Sequence, residues 1–75
     1  MACVNADGSL TPIAQKVLSA ILEPVIPMQI QQTSGLPIYR VRASLRELMD
    51  LGLVEQHGEN YQITDLGKTY LNKST

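Results

Sequence analysis

Tryptophan and phenylalanine are absent, and three tyrosines leave only 4% of the 75 residues aromatic. Leu, Ile and Val must therefore fill whatever interior the chain builds. A single cysteine, Cys3, excludes an internal disulfide. Neither it nor the lone histidine, His57, has partners at metal-ligand spacing, so no metal site is read and a reducing, cytoplasmic setting is expected. No run of about 18 apolar residues exists, and MACVNADGSL lacks a basic stretch leading into an apolar one, so neither a membrane span nor a signal peptide is read. Basic residues are scarce: six Lys and Arg face seven Asp and Glu, for a net charge of -1. That excludes a broad electropositive surface, and any nucleic-acid footprint must be local. A Gly-rich phosphate loop is missing, as is a nucleophile near His57. The sequence therefore predicts no enzyme and no cofactor.

The hydrophobic share of 44% with 17% charged residues is ordinary globular composition and argues against disorder. A chain of this size makes one small domain, burying roughly 60% of the surface its unfolded form exposes. Charge is uneven along it. Residues 36–46 carry +3 from Arg40, Arg42 and Arg46, half of all the basic residues, whereas residues 47–75 carry -3.

Residues 1–10 read as a flexible polar leader, residues 11–72 as the domain and residues 73–75 as a tail. Thr11-Pro12 supplies an N-cap and a first-turn proline, and Ile13, Val17, Leu18, Ile21 and Leu22 recur at helical spacing until Glu23-Pro24 ends the run. After the apolar link Val25-Ile26, PMQIQQTS predicts a short second helix anchored by Met28 and Ile30 and stopped by Gly35. A third helix over residues 37–51 starts at Pro37, stops before Gly52 and turns Ile38, Val41, Leu45, Leu48 and Met49 inward. Beyond Gly52 the period becomes two. Residues 53–56 and 60–63 predict strands joined by His57-Gly58-Glu59. Thr64-Asp65 then opens a last helix, LGKTYLN, with Leu66, Tyr70 and Leu71 facing inward. The core is expected to centre on Val41, Leu45 and Leu48 against Val17, Ile21, Ile30 and Ile63. The fold class is thus mainly α with a small β-hairpin, an α+β chain ordered helix, helix, helix, hairpin, helix.

That order, with Gly35 at the turn, the alternation Val41, Leu45, Leu48, then Gly52-Leu53-Val54 and Tyr61-Gln62-Ile63-Thr64-Asp65-Leu66-Gly67, resembles the winged helix-turn-helix domains of MarR-like, ArsR-like and PadR-like transcriptional regulators. The resemblance covers roughly residues 11–72 and implies double-stranded DNA as partner, with the third helix in the major groove. It places Tyr39, Arg40 and Ala43 at base edges and Arg42 and Arg46 at the backbone or at guanine, whose two acceptors suit a planar guanidinium. Thr33 and Ser34 add hydroxyls toward phosphate near the turn.

The segment EQHGEN departs from the usual basic wing, since two acids there repel phosphate. With so little positive charge, binding should be weak for one copy, and a weak homodimer through the first and last helices is expected. The other reading of the same residues is a protein-interaction module, its arginines serving as a solvated face paired with Glu47 or Asp50. Such modules keep the fold with little or no affinity for DNA.

Overall fold

The computed structural model describes residues 4–74. The expectation for Cys3 lies outside them. Among the described residues the chain is a mixed α+β fold of four helices and a two-stranded antiparallel hairpin: α1 (Pro12–Ala20), α2 (Pro27–Ser34), α3 (Ile38–Asp50), β1 (Val54–His57), β2 (Asn60–Ile63) and α4 (Asp65–Ser74). None of these helices is long and apolar enough to cross a membrane.

The segment expected to be a flexible leader folds back over residues 4–10. Val4 and Leu10 pair as an isolated bridge, and Leu10 is buried in the core. Its polar tip is tied internally, because the Ser9 hydroxyl and N–H both donate to the Asp7 carboxylate, at 2.6 and 3.0 Å. Those bonds, the hydroxyl's first, favour the ionised form and lower the Asp7 pKa.

Helix α1 begins as expected, with the Thr11 hydroxyl accepting from the Ala14 N–H at 3.3 Å. It ends at Ala20, before Glu23-Pro24. The Ile21 carbonyl is taken instead by the Ile63 N–H at 2.9 Å, which draws the chain out of the helix and onto the hairpin. Leu22, which continues the apolar spacing of α1, lies beyond the helix and is 51% exposed.

Helix α2 matches its expected span and stops at Gly35, whose φ of 76° is the left-handed conformation that glycine adopts without steric cost. Only Ile30 of its two expected anchors is buried; Met28 is 59% exposed. Two residues apart on a helix means about 200° of rotation, so both cannot face one core. Helix α3 buries Val41, Leu45 and Leu48 as expected and Ser44 with them, while Ile38 and Met49 lie at the margin.

The hairpin register pairs Val54 with Ile63 and His57 with Asn60, so the connection is the two residues Gly58-Glu59. His57 ends a strand rather than sitting in the turn, and β1 starts one residue later than predicted. Leu53 is held outside the ladder, its N–H on the Leu48 carbonyl at 2.9 Å and its carbonyl accepting from Thr64 at 3.0 Å. On the far side of β2, Tyr61 exchanges two backbone hydrogen bonds with Val25, at 2.7 and 3.1 Å. The link between α1 and α2 thereby acts as a third strand for one residue.

In α4 the inward face is set by buried Gly67, with Tyr70 and Leu71 packed against the core; Leu66 is 48% exposed. The core joins all seven residues expected at its centre, Val17, Ile21, Ile30, Val41, Leu45, Leu48 and Ile63, with Leu10, Ala14, Leu18, Leu53 and Val54.

Candidate functional site

Helix α3 turns one side into the core and leaves the other open. Tyr39 is 62% exposed, and Arg40, Arg42, Ala43, Arg46 and Asp50 are exposed with it. The three guanidinium groups make no hydrogen bond or ion pair among the described residues, so pairing with Glu47 or Asp50 does not account for them. They do not form one cluster, however. Arg42 and Arg46 are one turn apart on one flank, whereas Arg40 lies about 160° around the axis from Arg42, on the flank shared with Glu47. Tyr39 and Ala43 occupy the crest between the flanks.

The two flanks meet different neighbours. Arg42 and Ile38 border a cleft of about 560 Å³ whose other walls are Ile26, Pro27, Met28 and Gln31 of the α2 entry and Gly58 and Glu59 of the hairpin turn, with Tyr61 beside them. No ion pair within the described residues joins Arg42 to Glu59. The sequence pattern does not reveal Met28, Gln31 and Tyr61 as neighbours of Arg42, because the packing that gathers them spans three elements and leaves no local signal.

Thr33 and Ser34 lie elsewhere. They border a second depression, against Gln15, Lys16 and Ser19 of α1, and not the cleft containing Arg42. The Ser34 hydroxyl is already engaged, donating to the Ile30 carbonyl at 2.6 Å and accepting from the Leu36 N–H at 3.2 Å. It shapes the turn into α3, and Thr33 is the freer of the two hydroxyls. Lys16 is the cation that the fold adds here. Its position on α1, 17 residues before Thr33, gave no sequence signal.

The hairpin tip is acidic and open to solvent, with residues 55–60 all exposed. His57 Nε2 lies 3.2 Å from Glu55 Oε1. No group of three metal-ligating side chains occurs among the described residues. No protein-family model matches the chain, and no curated protein matches it.

Proposed function

We propose that this chain is a winged helix-turn-helix domain that binds double-stranded DNA, with α3 as the reading helix and β1-β2 as the wing. What supports the reading is the order of elements, the left-handed turn at Gly35 that sets α2 against α3, and the Val25–Tyr61 bridge that adds a one-residue strand on the outer edge of β2. The observation that carries it is the open side of α3, where Tyr39 and Ala43 lie between arginines that no carboxylate among the described residues neutralises. A surface of this shape admits base edges at its crest and phosphates at its flanks. A cytoplasmic transcriptional regulator or accessory factor is the role that fits.

The test is a titration of isotope-labelled protein with a short mixed-sequence duplex at low and moderate salt. Amide shifts concentrated in residues 36–46 and weakened by salt are expected; shifts absent from that segment at low salt would remove the reading. A second reading, docking of a protein partner, is favoured by one specific feature. The wing tip carries Glu55 and Glu59, open to solvent, where a DNA-bound wing would meet phosphate.

A further inference from the structure

The hairpin has two outer edges, and the fold closes one of them. On β2, Tyr61 exchanges backbone hydrogen bonds with Val25, and the Ile63 N–H reaches the Ile21 carbonyl. Antiparallel pairing alternates, so the residue opposite one that bonds outward also turns its own N–H and C=O away from the ladder. Gln56 stands opposite Tyr61, and its main-chain N–H and C=O therefore point out along the free edge of β1. Among the described residues no backbone bond outside the hairpin takes them up. The Gln56 side chain engages the Gly58 carbonyl instead, at 2.9 Å. Open edges usually carry a lysine, a proline or a bulge that blocks further pairing. β1 has none of these: its register with β2 is unbroken from Val54 to His57, and its residues are Val, Glu, Gln and His.

The side chains beside the open groups are self-complementary. Glu55 and His57 share the outer face of β1, both exposed, with His57 Nε2 3.2 Å from Glu55 Oε1. A second β1 laid antiparallel, with Gln56 opposite Gln56, places Glu55 of each copy opposite His57 of the other. These are non-hydrogen-bonded pairs, in which side chains come closest. An imidazole N–H donates to a carboxylate whether the ring is neutral or protonated. The two Glu55 side chains meet only on the diagonal, farther apart. Sliding one strand by two residues would instead set Glu55 against Glu55 or His57 against His57, so the side chains select the register.

We infer that the free edge of β1 pairs with β1 of a second copy of the chain, about a two-fold axis at Gln56, joining the two hairpins into one four-stranded sheet. The contact is confined to residues 54–58 of each copy and is weak for that reason. It forms in concentrated protein, or where two copies are already held side by side, and dissociates on dilution. The inference goes beyond the DNA reading and stands whether or not α3 contacts DNA.

The experiment follows labelled full-length chain by NMR over a dilution series from about 2 mM to about 0.02 mM. Concentration-dependent amide shifts centred on residues 54–58 are expected. Two charge variants then separate this contact from any other. One carries Glu55→Lys with His57→Lys, and the other carries His57→Glu. Each alone faces like charge with like and should self-associate about tenfold more weakly, the loss expected for two cross-strand pairs. Mixed in equal amounts, one labelled and one not, they should recover the shifts, because lysines of one copy then face glutamates of the other. The contact between Glu55 and His57 within one chain cannot produce that recovery, since neither variant keeps it. The replaced side chains are exposed, so unchanged amide dispersion is expected to show that both variants fold. Shifts that ignore concentration up to the highest tested, or a mixture that behaves as its separate components, would overturn the inference and leave the edge to solvent or to a strand of another protein. So would shifts centred on Leu22 and α4, which would assign self-association to the terminal helices.

Discussion

Gly67 lies in the first turn of α4 with its backbone pressed onto the end of the Leu53 segment. A Cβ there would strike the Leu53 carbonyl oxygen and come within 2.6 Å of Ile63 Cγ1. That carbonyl cannot swing aside as a side-chain tip can, because it accepts the Thr64 N–H. The Thr64 hydroxyl fastens the same junction, donating to the Gly52 carbonyl at 2.8 Å and accepting from the Gly67 N–H at 3.0 Å. Alanine is the better helix former by about 1 kcal/mol, yet overpacking at this point should reverse the sign. Gly67→Ala is expected to lower stability by about 1–3 kcal/mol in urea unfolding, and an unchanged midpoint would mean that α4 is free to slide. Leu45, 2% exposed, tests the opposite error, a hole. Leu45→Ala should cost about 2–5 kcal/mol, measured the same way, and a smaller effect would mean the core collapses around the gap.

Elements were legible where periodicity and stop signals agreed. The proline and glycine that bound α2, and the inward stripe of α3, leave few alternatives: α2 keeps its predicted span, and α3 runs Ile38–Asp50, one residue shorter at each end than predicted because Pro37 and Leu51 are its caps. Errors of facing arose where a tertiary interaction outranked the local pattern. Leu66 is an apolar residue at helical spacing, but the close approach at Gly67 gives that place on the inward face of α4 to the glycine, while Tyr70 and Leu71 keep theirs. Ile21 continues an apolar run, but Ile63 captures its carbonyl and ends α1 early. The candidate site shows the same division: every residue proposed on α3 is exposed, as its spacing predicts, whereas Thr33 and Ser34 fall on another surface. On the DNA reading, the flanks of α3 make separable predictions. Replacing Arg42 or Arg40 by Ala should weaken duplex binding by roughly 1–3 kcal/mol. The slope of log affinity against log salt should become shallower by about 0.9 for each phosphate that is no longer neutralised. Charge-reversed wing variants, Glu55→Lys with Glu59→Lys, should strengthen binding to any duplex. If affinity in fluorescence titrations answers neither change, the arginines are a solvated face and protein docking becomes the better account.

For the whole molecule, charge and apolar surface bear on copy number. On the DNA reading, a net charge of -1 with only three arginines on α3 means that one copy would neutralise few phosphates. Two copies on a symmetric site would roughly double that number, which is the usual solution for small readers of half-sites. The first and last helices offer less for pairing than their sequences promise. Leu18 is fully buried, and Val25, Tyr70 and Leu71 pack against the core, so of the apolar residues on and beside the first and last helices Leu22 is left open. Leu51 and Leu66 are also exposed, and Leu66 reaches the Gly52 corner beside Leu51. Patches this small favour association only when something else holds the copies together. The expected result in sedimentation is therefore a monomer when free and two copies on a duplex carrying two half-sites about 10 base pairs apart, centre to centre. Moving the half-sites by about five base pairs, half a helical turn, should abolish the second binding step, because the copies would then lie on opposite sides of the duplex. One copy per duplex at every spacing would rule out pairing on DNA, and weak half-site affinity would then have to be met by a different partner protein.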